Sequence, residues 1–171
     1  PKTAEHIGAI LARGLDQVLP PEADFHLGCF SFGAVPGSVA AVRHGRRVRS
    51  FTLIGAAGFG PRERPTDGLV RILPEMDEAT RRATARNNLE VLMFADPRNV
   101  DDLAIDIQLA NTIWGAEDVT AKGMLAPRNA ALREADPEAE IVQMDGIGHW
   151  VQYEAPDAFN KCYLEMLKRA V

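Results

Sequence analysis

Residues 25–44, FHLGCFSFGAVPGSVAAVRH, decide the fold predicted for this chain. The first six of them form a short, mostly apolar run, which is typical of a β-strand. Ser31, Phe32 and Gly33 follow as a candidate tight turn, and the alanine- and valine-rich residues 34–44 have the composition of a helix. The stretch therefore predicts a strand, a turn and a helix in immediate succession.

Further elements of both kinds flank this stretch. Residues 3–19 place apolar side chains three and four apart, which predicts an amphipathic helix that Pro20 ends. Residues 48–54, VRSFTLI, are rich in β-branched and aromatic side chains and predict a second strand. The remaining predicted elements are strands at 112–115 and 140–144 and helices at 123–135 and 156–170. Because strands alternate with helices, we expect an α/β fold with a parallel sheet and right-handed crossovers.

Residues 67–111 interrupt this alternation. They are polar and helical in pattern, and Asp101 and Asp102 can cap a helix over residues 103–110. We interpret the segment as a helical cap, or lid, inserted into an α/β core. Residues 1–66 would form the first part of that core, and residues 112–171 the second.

Two features of this layout indicate that residues are missing. The lid's second helix would run into the strand at Thr112 without the loop of about two to six residues that such junctions usually need. Four parallel strands with a bare edge would also be an unusual free-standing sheet. We therefore expect the N-terminal strands to be lacking before Pro1, and a chain break between Asn111 and Ile113.

The composition argues against several classes of protein. The chain has 171 residues, 46% of them hydrophobic, which suffices for the core of one domain. Its net charge of -5 gives no electrostatic reason to expect nucleic acid or an anionic membrane as partner, and the basic residues 43–49 are interpreted as a solvated helix end. No apolar run approaches the roughly 20 residues of a membrane helix. Cys29 and Cys162 make no CxxC pair, so we expect no disulfide framework, no zinc site and a reducing, cytoplasmic location.

A serine, an aspartate and a histidine follow the predicted strands in that order. Ser31 occupies the strand-to-helix turn, where a hydroxyl is exposed above the sheet. Asp118 follows the strand at 112–115, and His149 follows the strand at 140–144 in the segment DGIGHW. Because the carboxyl ends of parallel strands meet at one edge of a sheet, we predict that the three side chains converge as nucleophile, acid and base. Taken singly, each can equally be a turn, packing or surface residue.

In this order of residues the chain resembles the α/β-hydrolase superfamily. Residues 25–60 look like its nucleophile region, residues 113–126 like its acid region and residues 140–161 like its base region. The segment GHWVQYE at 148–154, with Gly148-His149-Trp150 followed by Glu154, and then Pro156 and Phe159-Asn160 are most similar to the meta-cleavage-product hydrolases, which cut carbon–carbon bonds, and to related carboxylesterases. The resemblance spans nearly the whole chain, but the family's first half is absent.

The resemblance implies a serine hydrolase that needs no metal or cofactor and acts on a small molecule with a carbonyl; homodimerisation is left open. Ser31 would attack the carbonyl, His149 would take its proton, and the Phe32 N–H would be an oxyanion donor. In the family a second donor comes from the absent first half, and loss of one donor costs about 3 kcal/mol in the transition state. Trp150, next to the base, resembles a substrate-binding residue of the carbon–carbon hydrolases, and a packing tryptophan explains it equally well.

Three functions remain open at this point. Carboxylic ester hydrolysis is the favoured one, with carbon–carbon cleavage of a meta-cleavage product as the close alternative. The third is a hydrolase-fold protein that binds without turnover, which is favoured by Cys29, where the family usually has glycine, and by the absent oxyanion loop. Ala34 is a further departure, since a second glycine is common there. Carbon–carbon cleavage needs cationic or amide groups to hold the substrate, and the candidates are Arg86, Asn87, Asn88, Arg128, Asn129 and Arg133.

Overall fold

A computed structural model of the chain describes residues 3–56, 67–114, 142 and 144–170. These residues divide into two units with dense internal contacts. The first contains residues 3–56 and 161–170, and the second contains residues 67–114, 142 and 144–160.

The first unit begins with two helices that lie against each other, α1 (Ala4–Val18) and α2 (Ala34–His44). Helix α1 confirms the amphipathic helix predicted over residues 3–19, and the Thr3 hydroxyl caps it by accepting a hydrogen bond of 3.2 Å from the His6 N–H. Gly8 permits the close approach, because a Cβ at this position would lie 2.5 Å from Val39 Cβ and 2.8 Å from the Pro36 carbonyl oxygen.

Helix α2 connects two parallel strands, β1 (Phe25–Phe30) and β2 (Val48–Ile54). Both strands have the predicted bounds, and they pair in a register that sets Leu27 opposite Phe51 and Phe30 opposite Ile54. Within the described residues the sheet has these two strands. The α/β class and the parallel pairing are therefore confirmed at this coarse level.

The basic residues 43–49 are only partly the solvated helix end that their composition indicates. Arg47, in the 3-10 turn Gly45–Arg47, is half-buried and donates from Nη1 to Asp16 Oδ1 at 3.1 Å. Its Nη2 and Nε donate to the carbonyl oxygens of Pro20, at 3.0 Å, and Ala23, at 3.1 Å. The guanidinium thus fixes the chain that leaves α1 to the turn that follows α2.

The second unit is built on α3 (Glu78–Leu92) and α4 (Asp102–Trp114), joined through the 3-10 turn Pro97–Asn99. Each helix begins at an aspartate cap: Asp77 accepts from the Thr80 N–H at 2.8 Å, and Asp101 from the Ala104 N–H at 2.8 Å. The cap predicted at Asp101 is therefore confirmed. The buried cluster between these elements consists of Ala85, Leu89, Phe94, Val100, Ala104 and Ile105.

The strand predicted at residues 112–115 is wrong, since α4 continues through Trp114. The helix accommodates the β-branched Thr112. The Thr112 hydroxyl donates to the Gln108 carbonyl oxygen, one turn earlier, at 2.8 Å. Without a strand there is no abrupt junction at Thr112. Asn111 and Ile113 lie in the same helix, so the chain break expected between them is also wrong.

The C-terminal part agrees only partly with the prediction. The closing helix is confirmed as α6 (Pro156–Arg169), and a short helix α5 (Val151–Glu154) precedes it. Val142 and Met144 lie outside any strand, so the strand predicted at 140–144 is not formed at these two residues. The helix predicted at 123–135 lies outside the described residues, and the division into core and lid stays a prediction. In the described ranges, no helix combines the length and apolarity needed to cross a membrane.

Candidate active site

Ser31 has an unusual backbone conformation. It begins the 3-10 turn Ser31–Gly33, which connects the end of β1 directly to α2, and its φ is 51°. Among the described residues it is the one non-glycine residue with positive φ. A left-handed conformation costs an L-residue about 1–2 kcal/mol, and such strain is concentrated at functional sites. The serine turn predicted from the sequence is therefore confirmed, and it is strained.

The close packing beside the serine turn involves Gly37 and not Gly33. A Cβ at Gly33 would meet no described atom within 4 Å. The tight contact instead lies between Cys29 and Gly37 in α2, where an added Cβ would collide with the Cys29 sulfur. Cys29 is buried, and burial raises the pKa of its thiol. Gly37 thus makes room for the side chain of Cys29.

The candidate oxyanion donor lies beside Ser31. Phe32 exposes 38% of its surface, and its backbone belongs to the turn that leads into the N-terminus of α2. The Ala34 N–H already donates to the carbonyl oxygens of Ser31 and Phe32. Amide groups at a helix N-terminus favour negative charge, so this end of α2 suits an oxyanion.

His149 lies in the loop that precedes α5, half-buried, between Gly148 and Trp150. Gly148 lies against the chain that leaves α3: a Cβ there would collide with the Met93 carbonyl oxygen and lie 2.5 Å from the Ala95 nitrogen. On the other side of His149, the Trp150 N–H donates to that same Met93 oxygen at 3.0 Å. The histidine is therefore flanked by two close backbone contacts between its loop and the chain that leaves α3.

Glu154, at the end of α5, accepts hydrogen bonds from four groups. Its Oε2 receives the Gly148 N–H at 2.6 Å, and its Oε1 receives the N–H groups of Ala95 at 3.0 Å and Asp96 at 2.9 Å. The Asn99 amide adds a longer bond of 3.4 Å to Oε1. Burial by itself would raise the pKa of Glu154, but the backbone hydrogen bonds outweigh it and lower the pKa below its usual value. The carboxylate is thus ionised at neutral pH.

Trp150 is chiefly a packing residue in this structure. Its ring lies 5.5 Å from that of Phe94 and 5.9 Å from that of Tyr153, measured between centroids. Tyr153 in turn donates its hydroxyl to Asp101 Oδ1 at 2.7 Å, and burial together with this hydrogen bond raises its pKa to about 12. These contacts attach α5 to the cluster around α3 and α4. The contact between Trp150 and a substrate stays a prediction.

The predicted triad is described only in part. Asp118 lies outside the described residues. Ser31 belongs to the first unit and His149 to the second, and each is described within its own unit. The convergence of the three side chains stays a prediction. Among the described residues, no three His, Cys, Asp or Glu side chains lie close enough together to hold a metal ion.

Sequence reasoning missed the part played by Glu154. The residue stands in the quoted segment GHWVQYE, but its partners Ala95 and Asp96 precede it by 59 and 58 residues. The only signal in the sequence was a carboxylate close to a histidine that follows a glycine. No protein family, curated protein or solved structure gives a significant match to this chain.

Proposed function

We propose that this chain is a serine hydrolase of the α/β-hydrolase superfamily that hydrolyses carboxylic esters. The observation that carries the proposal is the backbone of Ser31. A serine held at φ 51° between a parallel strand and a helix has the geometry of a nucleophile elbow, in which the strained turn exposes the hydroxyl. The loop position of His149 and the similarity of segment 148–154 to known hydrolases support it.

In the proposed mechanism, His149 removes the proton from the Ser31 hydroxyl as its oxygen attacks the ester carbonyl. The Phe32 N–H stabilises the oxyanion of the tetrahedral intermediate, and Asp118 orients the imidazole and stabilises its charged form. The imidazolium then protonates the departing alcohol, which leaves an acyl group on Ser31. Water, activated by the same histidine, releases the acid and restores the serine.

The contacts of three side chains on α3, in the predicted lid, favour ester hydrolysis over carbon–carbon cleavage. The Asn87 amide donates to the Gly68 carbonyl oxygen at 2.8 Å, and Asn88 bonds to both the N–H, at 2.9 Å, and the carbonyl oxygen, at 2.7 Å, of Val70. Arg86 lies 3.7 Å from the Glu90 carboxylate. Both asparagine amides thus bind backbone groups of the second unit, and Arg86 lies beside a carboxylate, an arrangement that supports ester hydrolysis over the binding of a dienolate. Arg128, Asn129 and Arg133 lie outside the described residues.

Covalent labelling tests the proposal directly, because the chain contains only three serines, Ser31, Ser38 and Ser50. A fluorophosphonate probe is expected to modify Ser31 alone, as located by peptide mass spectrometry. Ser31→Ala should abolish labelling. Ser50→Ala is the matched control, since Ser50 lies on β2 and bonds to His26 Nδ1 at 2.7 Å. Failure of the wild-type protein to react would favour a hydrolase-fold protein that binds without turnover.

Substrate assays separate the two hydrolytic reactions. Intact protein is incubated with a short p-nitrophenyl ester and, in parallel, with a 2-hydroxy-6-oxo-dienoate. Ester turnover that Ser31→Ala abolishes is the expected result. Fast cleavage of the dienoate with negligible ester turnover would reverse the order of the two candidates.

A further inference from the structure

We propose that Glu154 is a positioning residue for His149, an inference that rests on the proposed function. The carboxylate takes no direct part in the proposed reaction. It acts by fixing the loop that carries the base to a separate part of the second unit, the chain between α3 and α4.

The first step of the argument is the placement of the bonds around His149. On its N-terminal side the Gly148 N–H donates to Glu154 Oε2 at 2.6 Å, which is short for an N–H···O bond. On its C-terminal side the Trp150 N–H donates to the Met93 carbonyl oxygen at 3.0 Å. The peptide group that follows the histidine and the peptide group that precedes Gly148 are therefore held, which limits the backbone freedom of Gly148 and His149 between them.

The second step is that Glu154 is itself anchored. Its other oxygen, Oε1, accepts from the N–H groups of Ala95 and Asp96 at 3.0 Å and 2.9 Å. One carboxylate thus connects the histidine loop to the residues that follow α3. Hydrogen bonds to a charged acceptor are stronger than those between neutral groups, so this connection is stiffer than an amide side chain could provide.

The third step excludes a direct role in proton transfer. Both oxygens of Glu154 are occupied by donors, and its lowered pKa keeps it ionised at neutral pH. The carboxylate has no proton to give, and its lone pairs face backbone N–H groups. Positioning is the function that this arrangement serves, and a misplacement of a catalytic group by about 1 Å can cost about a hundredfold in rate.

The test compares Glu154→Gln with a matched control, Glu90→Gln, in the full chain. Glu154→Gln keeps the shape of the side chain but places an NH2 group against backbone N–H donors. Glu90 is a glutamate of the same unit whose partner is the side chain of Arg86, at 3.7 Å. The readouts are the rate constant of Ser31 phosphonylation by a saturating fluorophosphonate, in which the serine oxygen displaces fluoride, the half-saturating probe concentration, and the NMR titration of the His149 imidazole.

Glu154→Gln is expected to lower the phosphonylation rate constant about tenfold to a hundredfold while leaving the half-saturating concentration unchanged. The His149 titration should change its midpoint or split into several signals, and Glu90→Gln should match the wild type in all three readouts. Glu154→Asp, which keeps the charge, should recover part of the rate. If Glu154→Gln does not fold, a reduced phosphonylation rate in Glu154→Asp is the test in its place.

The outcomes distinguish this inference from the proposed function. A wild-type rate and a wild-type His149 titration in Glu154→Gln would overturn the positioning role while leaving the hydrolase intact. The same conclusion follows if Glu154→Gln and Glu90→Gln lose equal rate. Absence of any labelling at Ser31 in the wild-type protein would overturn both.

Discussion

The left-handed backbone of Ser31 predicts an unusual order of stability between two substitutions. Ser31→Gly and Ser31→Ala both remove the hydroxyl, but only glycine adopts φ 51° without a steric penalty. We expect the free energy of unfolding of Ser31→Gly to exceed that of Ser31→Ala by about 1 kcal/mol in urea denaturation. The same pair of substitutions at Ser50, in β2, should give the opposite order. Equal stabilities at position 31 would contradict a strained turn.

The contact between Cys29 and Gly37 predicts a coupled pair. Gly37→Ala places a Cβ against the Cys29 sulfur and should destabilise the protein by about 1–3 kcal/mol, as overpacked cores usually do. In the Cys29→Ala background the same change should cost less, because the obstructing atom is gone. A double-mutant cycle from chemical denaturation measures this coupling. Additive effects would mean that the cost of Gly37→Ala does not arise from its contact with Cys29.

At the residue scale, the sequence predicted the half of the site that depends on local geometry. Ser31 and its turn follow from a short apolar run, a small residue and a helical stretch, all within neighbouring residues. Glu154 could not be found in this way, because its donors lie in another part of the chain and long-range hydrogen bonds leave no periodic pattern. The close contact at Gly37 was missed for the same reason, since it arises only when α2 packs on β1.

At the scale of the elements, the packing of α3 against α4 depends on one side chain. Leu89 is fully buried between these helices, with 0% of its surface exposed. Leu89→Ala leaves a cavity and should lower the free energy of unfolding by about 2–5 kcal/mol. Leu103→Ala in α4, where the side chain is 59% exposed, is the control and should change stability by no more than about 0.5 kcal/mol. Similar losses for both leucines would contradict the assignment of the core.

Lowering the pH is expected to detach α5 from the chain that follows α3. The folded state lowers the pKa of Glu154, so the ionised carboxylate stabilises the fold above its unfolded pKa, and this contribution is lost as the pH falls through the folded value. In a Trp114→Phe chain, Trp150 is the sole tryptophan and its fluorescence reports on the loop. An acid transition of this signal is expected. Glu154→Gln has no carboxyl group to titrate, and the same transition in that variant would rule out Glu154 as its origin.

The elements that were predicted correctly share a strong local pattern. Helix α1 repeats its apolar residues at helical spacing, and β1 and β2 are short apolar or β-branched runs between clear breaks. The error at residues 112–115 arose because Thr112, Ile113 and Trp114 favour strands as individual residues. These three residues continue helix α4, and extending an existing helix by a few residues costs less free energy than starting a new element.

At the scale of the whole molecule, the proposed chemistry predicts that Ser31 and His149 act as a unit. Ser31→Ala and His149→Ala should each abolish most ester turnover, and the double variant should be hardly worse than either one, because each loss disables the same proton transfer. Steady-state kcat for the p-nitrophenyl ester measures the effect. Losses that multiply in the double variant would show that the two residues serve separate steps or that one of them is structural.

The division into two units could not be derived from the sequence. The predicted boundaries followed changes in composition at residues 67 and 111, whereas the contacts group residues 142 and 144–160 with 67–114. This grouping depends on Glu154, Trp150 and Tyr153, which bond to or pack on residues far away in the sequence. Composition changes mark where a segment begins, but not which distant segment it binds.

The glycines at close contacts are expected to differ in how strictly they are retained as the sequence of this protein diverges. At Gly37 the obstacle is the side chain of Cys29, so a mutation at one position can be offset by a mutation at the other, and descendants are expected to change the two together. At Gly8 and Gly148 the obstacles include backbone atoms, which every amino acid carries. No second mutation removes them. Lineages that retain this fold are therefore expected to retain both glycines even after they have lost the serine.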